Sequence, residues 1–404
     1  MKLHQHKRQL LLLMILLLFV SQACTDIFVP GLPIMTKEFA VPLSQMNLSI
    51  SVFTYSQAFF FLIIGVFSDL FGRRKIFLLC IPAQIIASFG IAATDSLALL
   101  VFLRIIQALG SAAIYIVLRL VIKDVMDKHE QIHANGVLLT GLVLSPALAP
   151  MIGAWLINLW GWRSCFIAVA VSLSLLFIWL VVLIHETNAD AAKFRAEFSL
   201  STLLNNYSRV LSDRMFFTLI ILVGGTFASY FGFIAISSYM YIDEYHISNT
   251  NYSYTFIAVA MAYLAGNRIM LWLNKEQTKP WRIVQYGLAL SLLGLGLMII
   301  SLLVNKSNIL LILAMVTVGI LLIRMATAFI NPPLQVLVMN YFGSAGAHAL
   351  GMLSCVQYIF AGLGTAMVSG LPFLPSASLV VSSIFFTFIS LLGYWFCPHE
   401  RIRH

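Results

Sequence analysis

GVFSDLFGRRK, residues 65–75, is a short polar interruption between two long apolar runs. The runs cover 44–68 and 75–94. Each is close to the roughly 20 apolar residues that carry a helix across a bilayer. Asp69, Arg73, Arg74 and Lys75 therefore cluster where two spans meet water. Asp69 and the basic trio are placed to form a charge lock on the cytoplasmic rim. Gly72 permits a tight turn, and Gly65 would let neighbouring helices approach closely.

The same pattern repeats outward in both directions. Apolar runs at 9–35, 97–123, 132–158 and 164–185 complete a first set of six, and 214–241, 250–273, 281–304, 308–338, 346–370 and 376–397 form a second. Composition requires such a layout, because 61% of the 404 residues are hydrophobic and 10% are charged. A soluble domain has about a quarter of its residues charged. The runs lack the alternating period of a transmembrane barrel, which leaves an all-α polytopic protein of twelve helices. The first 24 residues imitate a secretory signal, but the apolar segment continues past Cys24, which predicts an uncleaved first span. The five cysteines (24, 80, 165, 355 and 397) are dispersed in apolar runs as small hydrophobic fillers, without a disulfide or metal pattern.

Alternating the loops from an inside start puts 17 Lys and Arg residues on one side, against Lys37, Arg163 and Lys306 on the other. The positive-inside rule then places both termini in the cytoplasm of a bacterial inner-membrane protein. It also accounts for the net charge of +9 as a topology signal with affinity for anionic lipid, and disfavours nucleic acid as a partner. The one substantial polar break, 185–214, divides six helices from six. Residues 1–186 form an N-terminal half, 187–213 a cytoplasmic linker and 214–404 a C-terminal half. Two six-helix halves fit a transporter that binds its cargo between them near mid-membrane.

Ionisable residues inside lipid are costly and mark functional positions. Asp26 is the sole acid well inside any span, and an ionised carboxylate there suits uptake and release of a proton. Arg104, in the fourth span, falls at a similar depth in the outer half and makes a plausible partner. The competing reading is a static ion pair or a helix-end contact. Arg119 lies 15 residues on, about 22 Å along the axis and within about 60° of the same side, so both arginines can face one passage. Snorkelling to the cytoplasmic surface is the alternative for Arg119. Arg324, midway along the tenth span, makes a third buried guanidinium against one buried carboxylate. That balance favours an anionic or zwitterionic cargo, such as a carboxylate metabolite or a siderophore. Otherwise Arg324 would bond backbone carbonyls freed by Pro332 or Pro333. Gln22, Tyr55, Gln57, Gln107, Tyr115, Tyr230, Gln335 and Gln357 are candidate hydrogen-bonding groups of a substrate cavity, though each also serves as a packing or interhelical contact.

Residues 65–75 resemble the GxLaDrxGrk signature of the major facilitator superfamily. TGLVLSPALAPMIGAWL, residues 140–156, resembles the fifth-helix segment of proton-coupled exporters. There Pro146 and Pro150 each remove a backbone donor and bend the helix, while Gly141 and Gly153 allow close packing. Together with Asp26–Pro30–Pro33, RIIQALG (104–110), Arg119, Lys123–Asp124, GWRSCF (161–166) and His185–Glu186–Thr187, these residues resemble the Bcr/CflA group of drug:proton antiporters within that superfamily. The likeness covers about the first 185 residues and thins afterwards. Lys123 stands where an arginine is usual, and Ser145 and Ala154 depart from the common pattern. The resemblance implies alternating access and export driven by inward proton flow, with the gradient as energy source and no cofactor. Import or uncoupled facilitation on the same fold remains the rival reading, ahead of a membrane enzyme or a scaffold. The chain is expected to act as a monomer.

HEQIH, residues 129–133, spells the HExxH of zinc proteases. It falls in the turn between the fourth and fifth spans, with no third histidine near it, whereas catalytic zinc needs three rigidly held protein ligands and a pocket. A chance match without a bound metal is the expectation. No nucleotide loop or serine-hydrolase elbow is present. The chain is therefore read as a non-enzyme.

Overall fold

A computed structural model describes the backbone of residues 2–188, 191, 195, 199–276, 278–305, 308–342 and 346–397. Within those segments the side chains of 2–7, 128, 129, 132, 133, 135–137, 139, 140, 142, 143, 200, 202, 203, 206, 340 and 346–348 lie outside the described residues. No strand occurs among the described residues. Eleven helices there are long and apolar enough to cross a membrane, and the fifth span supplies the twelfth, with Leu144–Trp160 as its described apolar stretch. Side chains such as Leu303, Leu310 and Trp395 are more than four-fifths exposed, as a lipid-facing surface requires.

The chain divides into two compact units, Met1–Phe198 with Asn249–Phe256, and Ser199–Ser248 with Ile257–His404. The first unit contains α1 (Lys2–Asp26), α2 (Leu32–Glu38), α3 (Leu43–Met46), α4 (Leu48–Phe71), α5 (Arg73–Ala93), α6 (Leu97–Val125), α7 (Lys128–Trp160) and α8 (Arg163–Leu183). α6 packs against α4 and α5, α1 against α7 and α8, and α5 against α8. The first span, expected to run unbroken over 9–35, is instead interrupted. α1 ends at Asp26, a 3₁₀ turn covers Val29–Gly31, and α2 restarts with Pro33 in its first turn. Pro30 and Pro33 lack the N–H groups that a continuous helix would use there. α7 runs through both Pro146 and Pro150.

The second unit contains α9 (Leu200–Leu211), α10 (Arg214–Ser238), α11 (Asn249–Lys275), α12 (Pro280–Leu303), α13 (Ile309–Phe342), α14 (Gly346–Gly370) and α15 (Pro375–Phe396). α10 continues into a π-helical turn at Tyr239–Glu244. It packs against α14 and α15, while α12 pairs with α13. α9 lies within the segment expected as a plain linker and packs on α14 and α10. Its register buries Val210 while Leu204 and Leu211 stay exposed.

Candidate functional site

At the cytoplasmic rim, Arg73 opens α5 and is 4% exposed. Its Nη1 lies 2.6 Å from Asp69 Oδ1, and its Nε donates to Asp124 Oδ2 at 3.0 Å. Nη1 also donates to Ser68 Oγ. A guanidinium shared by two carboxylates ties the end of α4 to the end of α6. Glu186 joins from the segment after α8, where its carboxylate accepts the backbone N–H groups of Arg73 and Arg74 at 2.9 and 3.3 Å. These are orphan donors at a helix N-terminus, where a negative charge is favoured. Gly72 has φ +97°, and a Cβ there would stand 2.7 Å from Glu186 Cδ, so both backbone conformation and space require glycine. Thr187 Oγ1 donates to Asp124, Asn188 Nδ2 donates to Asp69 O, and Arg195 donates to Leu70 O. Arg74 Nη2 reaches Val181 O.

Deeper in the first unit, Arg104 is fully buried. Its Nε donates to Ser49 O at 2.8 Å, and Nη1 donates to Cys24 O at 3.0 Å and Gln107 Oε1 at 2.9 Å. Phe28 and Phe53 lie with their ring centroids 4.5 and 4.6 Å from its Cζ. The break in the first span explains the second bond. Ile27 N–H donates to Ala23 O, and Arg104 takes the next carbonyl along, that of Cys24. Gln107 Nε2 donates to Ser88 Oγ at 2.7 Å, Ser88 Oγ donates to Gln84 O, and Gln84 Nε2 returns to Cys24 Sγ. The network closes as a ring through α1, α5 and α6. Asp26 is 5% exposed and within electrostatic reach of Arg104, but none of the arginine's hydrogen bonds ends on it. Cys24, Ser49, Gln84 and Ser88 escaped the sequence reading. The available signal was Gln84 and Ser88, two polar residues four apart on one face of an apolar helix.

Arg119 is half-buried; it donates to Tyr115 OH at 2.9 Å and lies over that ring at 4.3 Å. Gln57 donates to Ser111 Oγ at 3.0 Å. Gln22, Tyr55 and Gln335 are half-buried without a printed neighbour that would assign them a partner, so they are brought into none of these clusters. On α7, a Cβ at Gly141 would stand 2.9 Å from Ile15 O, and one at Gly153 would overlap the carbonyl oxygen of Ile27. α1 thus approaches α7 backbone to backbone beside Pro146 and Pro150. The close approach expected at Gly65 is not made, because a Cβ there would meet only Ile116 Cγ2 at 3.9 Å.

In the second unit, Arg324 Cζ lies 3.8 Å from the Tyr230 ring centroid and 4.6 Å from that of Tyr263. The arginine bonds none of the carbonyls near Pro332 and Pro333 among the described residues, and its buried Nε has no hydrogen-bond partner there. Tyr263 was not anticipated, since a lone tyrosine in an apolar run carries no signal by itself. Gln357 is buried with Nε2 likewise unbonded.

The side chains of His129 and His133 lie outside the described residues. Glu130 has a structural role: its N–H donates to Asp127 Oδ1 at 2.9 Å, and its Oε2 accepts from Asp127 N–H at 3.4 Å. That is a capping box on α7. Gln131 Nε2 donates to Lys123 O and Met126 O, joining the start of α7 to the end of α6. Three letters of the pentapeptide region thereby serve a helix start.

Comparison with known proteins follows the same lines. The family description Major Facilitator Superfamily matches residues 14–366. Multidrug resistance protein D of Escherichia coli is 29% identical over 207 residues, so that the match spans 50% of this chain and about half (52%) of that relative. The bicyclomycin resistance protein homolog of Haemophilus influenzae is 21% identical over 389 residues, 94% of this chain and 93% of its own. Among solved structures, a POT family transporter in complex with 5-aminolevulinic acid superposes with a TM-score of 0.76 at 11% identity, over 98% of this chain and 97% of its own. A D-xylose–proton symporter does so at 0.73 and 15% identity, over 98% and 99%. At those identities the structural likeness is one of fold.

Proposed function

The chain belongs to the Major Facilitator Superfamily of multi-pass membrane transporters, and on that premise we propose that it exports a small molecule across a bacterial inner membrane in exchange for protons. The observation that carries this reading is the burial of Asp26 at the break of the first span, within electrostatic reach of the fully buried Arg104. Neutralising Asp26 removes the negative charge facing the guanidinium, whose remaining hold on the break is the Cys24 carbonyl. Proton occupancy then alters how firmly α1 is held at that point. Relatives that carry drug resistance in their names support efflux as the direction. The excess of Lys and Arg in alternate loops supports cytoplasmic termini. The proton gradient is the energy source, no cofactor takes part, and the monomer is the working unit. Arg104, Arg119 and Arg324 against Asp26 favour an anionic or zwitterionic substrate, with carboxylate metabolites and siderophores as the leading classes.

The test uses the full chain in proteoliposomes with an imposed pH gradient and a panel of metabolites and drugs. Asp26→Asn should abolish gradient-driven exchange for every substrate of the wild type while sparing downhill movement. Undiminished gradient-driven exchange in that variant would remove the coupling role. Wild-type flux that ignores the gradient would favour a facilitator.

A further inference from the structure

Arg324 sits at the centre of the Ile309–Met339 span, and its printed guanidinium contacts are aromatic. Tyr230 reaches it from α10 and Tyr263 from α11. No ion pair among the described residues involves it. The spans of the second unit contain only Asp243 and Glu244 as acids, both at the end of the π-helical turn, and Glu244 is engaged by Ser376. Arg104 is different, since its donors end on two carbonyls and an amide.

Ring faces attract a cation but accept no strong hydrogen bond, so the guanidinium N–H groups still need acceptors. Its Nε is already withdrawn from solvent without one. With aromatic rings stacked on the guanidinium, its N–H edge is what a ligand meets. Parallel N–H groups on that edge match an acceptor with two oxygens in one plane. We infer that Arg324, Tyr230 and Tyr263 form a carboxylate-receiving site, which takes the acid group of the cargo edge-on through the guanidinium fork. The inference deepens the export reading by naming the chemical class of the cargo and the residues that bind it; binding itself does not depend on the direction of transport.

The test is equilibrium dialysis on the full chain in lipid nanodiscs. The probes are 4-phenylbutyrate, N-acetylphenylalanine and succinate, each measured against its methyl ester. At least one acid should bind at least about tenfold more tightly than its ester, and Arg324→Lys should lose at least about tenfold of that affinity, since an ammonium keeps the charge but not the fork. Tyr263→Leu should weaken the same acid, and Tyr263→Phe, which keeps the ring face, should restore it. Melting temperatures of each variant without probe separate lost binding from lost folding, and the Tyr263 pair serves if the lysine variant does not fold. The site is overturned if no acid outbinds its ester, if Arg324→Lys binds as wild type does, or if chloride fills the site and no acid displaces it. Acid binding that depends on Arg324 sustains the site even where a pH gradient fails to drive the acid across proteoliposomes, a result that would defeat only the export reading.

Discussion

Gly153→Ala tests how the first span is held. The Cβ it introduces would overlap the Ile27 carbonyl oxygen and stand 2.8 Å from the carbonyl carbon. The obstacle is backbone, not the flexible end of a side chain, so α1 or α7 has to withdraw by about 1.5 Å, and overpacking of that kind costs about 3 kcal/mol. That is roughly a hundredfold in the folded-to-unfolded ratio. Ile27 follows Asp26 directly, and three residues before it Cys24 O accepts from Arg104 Nη1 at 3.0 Å. A shift of about 1.5 Å takes that bond beyond hydrogen-bonding range, so gradient-driven transport should fall together with stability. Gly65→Ala is the control. Its Cβ meets Ile116 Cγ2 at an ordinary 3.9 Å, and alanine's helix preference should leave stability unchanged or raised by up to about 1 kcal/mol. Gly141→Ala, with Ile15 O at 2.9 Å, should fall between them. Thermal unfolding of the three variants in nanodiscs, with transport in the same lipid, reads both effects. Equal melting temperatures for Gly153→Ala and Gly65→Ala would refute the reasoning.

Two further outcomes follow from the hydrogen-bond networks. Ser88→Ala removes the acceptor that orients the Gln107 amide with its oxygen toward Arg104; it should cost about 1 kcal/mol and displace the pH profile of transport, while Ser88→Thr retains the wild-type profile. An unmoved profile in the alanine variant would reduce Ser88 to packing. Glu186→Ala uncaps α5 and should cost about 1–2 kcal/mol, with faster hydrogen exchange at the Arg73 and Arg74 amides. Unchanged exchange there would mean the carboxylate does not hold that turn.

Much of the architecture was readable from the chain alone, because lipid imposes a length and a polarity on every span. Apolar runs marked the twelve helices, and the break at 185–214 marked the division into two sets of six. Asp69, Arg73 and Asp26 stood out because charge beside or inside an apolar run is expensive wherever it lies. The partners of those charges were a different matter. Glu186 reaches the turn at Gly72 from more than a hundred residues away, and Tyr263 and Tyr230 meet Arg324 from two other helices. Likewise, Gly65 and Gly153 look alike in sequence, yet only one faces a neighbouring backbone. Hydropathy and charge are properties of single residues summed along the chain, so the sequence determined which segments cross the membrane and which residues needed a partner there. Hydrogen bonds and close approaches depend on how helices are rotated and set against one another, so only the tertiary structure decided that Arg104 would hold the Cys24 carbonyl and that Arg324 would lie against aromatic rings.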